Sequence, residues 1–398
     1  MPGRERGLAP FLRLYYAYVF LFDFMLGYAV YTALFALEGI GTAEIGVLLA
    51  FWSASAIVLE MPSGALSDHF NRRTLLIAAP LFKAVTFVLW GIADGNFWLY
   101  VLGFLFWSAG QALQSGTREA LLFERMEQAG RSAEFDKVVG RDAAAEGLGI
   151  GGGALVGGFV AQASLDMAIW LSVVPLLFGA VVAFWLHDTR PDRQLGPGEN
   201  PITYLSHFRT AWGEFRRYAD LRFVAVYMAV GLILFELLEE FDQLYYLAVG
   251  VPIWLWGVLA GAVELVYAVA SVGAHRLAGR PWLAWALPLL GGALLVGASL
   301  GNNAWYVLLL ELAYVVIAPV TVLAEARFHR IMDGESRATT TSALIMAENI
   351  SGIAATLAFG FLAEWLGILP AYGWAGLFML PVALWIILAQ HRGARAIE

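Results

Sequence analysis

The sequence predicts an all-α membrane protein of twelve transmembrane helices arranged as two six-helix bundles. Three observations carry that prediction. The composition is 60% hydrophobic and 14% charged with a mean hydropathy of +0.70, far outside the range of soluble globular chains. The apolar runs are long and continuous, near the ~20 residues a helix needs to cross a bilayer, whereas a closed barrel would show ten-residue alternations. Of the 24 lysines and arginines, all but Lys83 fall in or beside every second gap between runs.

The elements follow in order. Arg4, Arg6 and Arg13 lead into span 1 (12–37), and the base-free gap EGIGTAE (38–44) opens span 2 (44–66). Arg72 and Arg73 precede span 3 (74–93), and IADGNF (92–97) divides it from span 4 (97–121). The group Arg118 to Arg141 brings in span 5 (137–161), and AQASLDM (161–167) brings in span 6 (167–187). After the group Arg190 to Arg222 come span 7 (221–246), YLAVGVPI (246–253) and span 8 (253–275). Arg276 and Arg280 precede span 9 (281–300), and SLGNNAW (299–305) precedes span 10 (303–327). Arg327 to Arg337 precede span 11 (338–364); EWLGILPA (364–371) precedes span 12 (370–391), with Arg392 and Arg395 behind it. Basic loops stay on the cytoplasmic side. A multi-pass protein of the cytoplasmic membrane with both termini inside is therefore expected. The segment MPGRERG is basic, but the apolar run after it exceeds a signal-peptide core, so it reads as a retained first span.

The widest gap divides the chain into an N-terminal bundle (1–190), a cytoplasmic linker (191–219) and a C-terminal bundle (220–398). In the linker, Ile202, Leu205, Phe208, Trp212 and Phe215 recur at steps of three and four, the spacing of an amphipathic helix lying at the interface. There is no cysteine, which excludes disulfides and thiolate metal sites. The six histidines lie near cytoplasmic ends or loops. No metal-ligand cluster, nucleophile–base pair or nucleotide loop stands out, so neither an enzyme nor a cofactor is expected. No basic-aromatic surface points to nucleic acid.

The loop after span 2 reads Gly64-Ala-Leu-Ser-Asp68-His-Phe-Asn-Arg72-Arg73. It resembles the signature loop of the major facilitator superfamily, G-x-L-x-D-x-x-G-R-[RK], with Asn71 where glycine is usual. Asparagine tolerates a left-handed backbone, so the turn is expected to survive. The resemblance covers the whole chain. It implies that Asp68 sits below the cytoplasmic start of span 11, where a carboxylate gains about 0.3–2 kcal/mol from a helix N-terminus. Gly64, Asp68, Arg72 and Arg73 would then form a cytoplasmic latch. Ser271 to Arg280 reads as a decayed second copy, as an internal repeat leaves.

Span 5 resembles the family's glycine-rich antiporter motif through Gly149, Gly153, Gly157 and Gly158, with Ala154 in place of proline. Gly257 and Gly261 on span 8 offer matching small residues, so spans 5 and 8 are expected to pack closely as an outer gate. The family's arginine motif on span 4 is not intact; Arg118 stands lower, at the cytoplasmic end. With Leu59 to Ala65, the chain looks like a bacterial efflux-type subgroup of the superfamily.

Nine acids lie well inside the predicted spans: Asp23, Glu146, Glu236, Glu239, Glu240, Asp242, Glu264, Glu311 and Glu348. Ionised against lipid, each costs roughly 2.5–3.5 kcal/mol, and the set is tolerable only if hydrated, protonated or neutralised. Charged groups in a membrane face a bundle interior or water-filled cavity. Spans 6, 9 and 12 have uncharged interiors and span 3 carries only Lys83, so these are the expected lipid-facing helices. Asp23, Glu146, Glu236, Glu239, Glu240, Glu264, Glu311 and Glu348, with Asn349 beside the last, are the expected lining of a proton-coupling and substrate cavity. The expected activity is proton-coupled export of a cationic or amphipathic small molecule by a monomer. The alternatives are import of a small polar or cationic solute, and a non-transporting receptor or chaperone.

Overall fold

The computed structural model describes residues 2–69, 71–186, 237–273, 280, 282–331 and 337–391. The predicted linker at 191–219 falls outside them. Span 1 is divided into α1 (Pro2–Asp23), a 3-10 turn (Leu26–Ala29) and α2 (Tyr31–Leu37). Then come α3 (Thr42–His69), α4 (Arg72–Gly91), α5 (Phe97–Gln128), α6 (Phe135–Ala161) and α7 (Leu165–Ala183). The second half has α8 (237–249), α9 (Ile253–Gly273), α10 (Leu283–Ser299), α11 (Val307–Ile331), α12 (Arg337–Leu366) and α13 (Ile368–His391). The fold is all-α, with twelve membrane helices.

The polar gaps read from the sequence supply the helix starts. Asn96 caps α5 by accepting from the Trp98 N–H at 3.1 Å, and Ser164 caps α7 by accepting from Met167 at 3.2 Å. Such caps satisfy backbone donors that the helix cannot. Asn71 does the same for α4, accepting from the Arg73 N–H at 2.9 Å with φ −62° and ψ 124°. This corrects the expectation of a left-handed turn there: the asparagine is extended and acts through its side chain. Beyond the membrane, the Arg131 guanidinium hydrogen-bonds Glu134 and holds its carboxyl below the usual range. Glu38 accepts from Tyr100 and from the Gly95 N–H at 3.2 Å, and burial pushes its carboxyl above the usual range.

The chain divides into two compact units. The first comprises residues 1–40, 51–199 and 253–261; the second comprises 41–50, 200–252 and 262–398. In the first, α4 packs on both α5 and α7; in the second, α10 packs on both α11 and α13. A proline sits inside each of these third and sixth spans, at Pro80, Pro175, Pro288 and Pro381. The outward apolar faces are lipid-facing in kind: Trp170, Leu177 and Phe178 on α7, and Phe378, Leu384 and Trp385 on α13, are exposed.

Candidate functional site

In the first unit the break in span 1 sets the geometry. The sequence 24–30, FMLGYAV, contains no proline, so the break is imposed by neighbours. Gly27 donates its N–H to Ser172 Oγ at 2.7 Å, and a side chain there would press on Ile169 and Phe87. The α6 glycines meet the opened backbone directly. A Cβ on Gly149 would collide with the Phe20 carbonyl, one on Gly153 with the Met25 backbone, and one on Gly157 with the Leu26 carbonyl. Gly149, Gly153 and Gly157 therefore face span 1, which differs from the packing against span 8 that the motif implied. Gly158 and Ala154 do face α9: a Cβ on Gly257 would collide with the Ala154 carbonyl. Gly261 has nothing within 4 Å of such an atom. Gly157→Ala is expected to destabilise the protein by about 1–3 kcal/mol, the usual cost of overpacking, read as a lower unfolding temperature in detergent.

Asp23 ends α1 at this break. Lys83 of α4, 1% exposed, donates to Asp23 Oδ1 at 3.1 Å. Its ammonium lies 4.0 Å from the Phe22 ring centroid and 5.0 Å from that of Trp107. Toward the end of α5, Arg118 contacts Glu146 Oε2 at 3.0 Å and Asp142 Oδ2 at 3.4 Å. Its side chain is only 11% exposed, so it joins Lys83 and Arg72, 6% exposed, as a largely enclosed base. Of the latch residues, Arg72 pairs with Glu124 at 2.8 Å and the Arg73 guanidinium lies 4.2 Å above the Phe184 ring. Gly64 and Asp68 belong to the helical backbone of α3, and their side chains fall outside the described set.

The second unit is organised differently. Asp242 is 3% exposed, and its Oδ1 lies 2.6 Å from both the Tyr314 and the Tyr372 hydroxyls. The Tyr372 hydroxyl also lies 2.9 Å from the Leu238 carbonyl. Tyr246 donates to Glu311 at 2.9 Å. Among the described residues no lysine or arginine pairs with either acid. The sequence explains why: no base occurs between Arg222 and Arg276, Arg280 and Arg327, or Arg337 and Arg392. Glu239 and Glu240 of α8 are half-buried. Glu236 lies outside the described residues, as do the side chains of Glu264, Glu348 and Asn349, whose backbones are helical in α9 and α12.

Asp242 was legible as an intramembrane acid but not as the centre of this group. The signal was the set Tyr245, Tyr246, Tyr314 and Tyr372, because a buried tyrosine hydroxyl needs a partner. The second unit also contains the start of α3, held by α12. The Thr42 hydroxyl donates to Glu364 at 2.8 Å, and Gly46 approaches so closely that a Cβ would lie 3.1 Å from the Gly360 Cα.

Comparison with known proteins matches residues 14–324 to the family model for the Major Facilitator Superfamily. The chain belongs to the major facilitator superfamily. It is similar to the class B tetracycline resistance protein of Escherichia coli, 27% identical over 177 residues, which is 42% of each protein's length. Its fold resembles that of a bacterial Spinster homologue in an inward-facing, occupied conformation (TM-score 0.77, 14% identity, 98% of this chain and 97% of that one). It also resembles the nucleoside transporter NupG (0.74, 13%, 95% and 97%) and tetrameric PepTSo2 (0.70, 14%, 97% and 99%). This superfamily member is thus a multi-pass membrane transporter, and the family and fold point away from an enzyme.

Proposed function

We propose that this superfamily member is a proton-coupled antiporter of the cytoplasmic membrane that exports a cationic or amphipathic small molecule by alternating access. It would act as a monomer with both termini inside, with bundles at 1–190 and 220–398 joined by the linker 191–219. One observation supports the coupling above all. The acids of the first unit have bases, Lys83 for Asp23 and Arg118 for both Asp142 and Glu146, whereas among the described residues Asp242 and Glu311 are held by tyrosine hydroxyls and pair with no lysine or arginine. A carboxyl buried without a cationic partner takes up a proton or a bound cation.

The hydrogen-bond geometry supports a proton on Asp242. Tyr372 has one hydroxyl hydrogen and two acceptors within reach. If it donates to the Leu238 carbonyl, its short contact with Asp242 requires a hydrogen from the acid. Tyr314 then donates to Oδ1, and each donor has its own acceptor. Loss of the proton turns Tyr372 toward Asp242, which couples the charge of α8 to α11 and α13. Glu236, Glu239, Glu240, Glu264 and Glu348 would supply further negative charge to the same half, competing for protons and substrate.

The Spinster-like and NupG-like folds do not set direction, and import of a small polar or cationic solute by symport is the second reading. Proteoliposomes separate them. Under imposed pH gradients of either sign, ethidium and 2-phenylethylammonium are expected to move against the proton, while a trapped pH indicator reports protons passing the other way. Movement with the proton would establish the symporter. Solute binding with no flux under either gradient would favour the receptor or chaperone reading, which the comparisons do not support.

A further inference from the structure

We propose that Phe22, Asp23 and Trp107 form a binding site for a primary alkylammonium or arylalkylammonium ion, and that Lys83 occupies it here as a tethered stand-in. The proposal deepens the reading of the chain as a transporter of cationic solutes and rests on it.

The chemistry on all sides of the Lys83 ammonium is that of an ammonium receptor. One carboxylate oxygen lies 3.1 Å away, and two aromatic rings present their faces at 4.0 and 5.0 Å. Ring faces attract cations most strongly where water is excluded, and both members of the ion pair are buried. A structural ion pair needs only the carboxylate; the rings add recognition of the head group itself. Lys83 carries a primary ammonium on a four-carbon stem, so what the site holds is in effect a butylammonium ion.

Three further features make it a site that can change occupants. Asp23 stands at the broken end of α1, where the backbone leaves helical geometry and the next turn is irregular. The Trp107 ring continues into a wall with Tyr28 and Trp52, at centroid distances of 6.5 and 6.1 Å, and both of those residues are half-buried rather than sealed. Gly110 faces the Lys83 stem, and an added Cβ there would lie 3.3 Å from Lys83 Cγ. The four-carbon stem can swing the ammonium away by rotation of its own bonds, whereas the carboxylate and the rings sit on short side chains. When Lys83 leaves, Asp23 carries an uncompensated buried charge that an incoming cation restores to neutrality, so the exchange is one for one.

The test uses the full-length protein in nanodiscs, with binding of 2-phenylethylammonium read by calorimetry and tryptophan fluorescence. A site occupied by its own side chain loses apparent affinity by the fraction left free, so Lys83→Met is expected to bind about tenfold tighter or more than the unaltered protein. Lys83→Gln, which keeps the volume and a hydrogen bond to Asp23, is expected to show the same direction and serves if the methionine variant does not fold. Adding Asp23→Asn to either variant should remove the gain, and the neutral isostere 2-phenylethanol should show none. Unchanged affinity in both Lys83 variants overturns the proposal, as does a gain that survives Asp23→Asn or is shared by the alcohol. The flux assay keeps the two readings apart. Tighter ammonium binding without proton-coupled flux leaves the site and removes the antiporter; coupled flux with unchanged affinity removes the site alone.

Discussion

Asp242→Asn is expected to abolish proton-driven accumulation while leaving substrate exchange between the two sides of the vesicle intact. The amide keeps the size and shape of the acid, and its oxygen, placed where Oδ1 lies, can accept from both the Tyr314 and the Tyr372 hydroxyls. The fold should therefore survive. The amide cannot release a proton, so the α8 group stays in one charge state through the cycle. A one-unit pH gradient supports about tenfold accumulation for each proton exchanged, since a tenfold ratio corresponds to about 1.4 kcal/mol. In the variant that ratio should fall to about one, with unlabelled substrate still exchanging for labelled. Glu311→Gln, which alters an acid held by one tyrosine instead of two, should weaken accumulation less. Full accumulation by Asp242→Asn would move the coupling to another acid and leave the tyrosine group a structural feature.

The twelve membrane helices were legible because they are written in long continuous apolar runs, which a bilayer selects without reference to tertiary packing. The loops leading to Asn71, Asn96 and Ser164 were recognisable as gaps, and the side chains of these three residues proved to be caps. What could not be read locally was the division of span 1. Residues 24–30 are as apolar as their surroundings, and their irregular backbone is held by Ser172 from α7 and by the glycines of α6, more than a hundred residues away. The same distance hid the partners of the acids. Spacing along α8 shows which carboxyls share a face, but not that Tyr314 and Tyr372 converge on Asp242. Asp23 with Lys83 was foreseeable as one pairing, since only one base was visible inside the early spans. Arg118 was misplaced because the apolar run was taken to end at residue 121, whereas the helix continues to Gln128.

That misplacement has a measurable consequence. Arg118 lies ten residues before the end of α5, about 15 Å of helix rise. It is enclosed between Asp142, 9% exposed at its side chain, and Glu146, which is about a third exposed. Arg118→Met would keep most of the stem's packing and remove the charge. Breaking a buried pair by taking one partner typically costs about 3–5 kcal/mol, because the other charge is left uncompensated. The expected result is a large drop in folded yield and unfolding temperature, with Asp142 the main cause, since solvent screens part of the Glu146 interaction. Neutralising the acids should reverse it. The triple variant Arg118→Met, Asp142→Asn, Glu146→Gln is expected to regain much of the lost stability, since well-packed neutral groups often replace a buried ionic cluster at little cost. If the single variant is as stable as the parent, the cluster is hydrated and Arg118 is free to serve the transport cycle as a mobile charge. If the triple variant stays as unstable as the single one, the arginine's contribution is its packing. Recovery of stability without recovery of transport would separate the two roles, since a cluster needed only to neutralise itself leaves flux intact when all its charges are removed together.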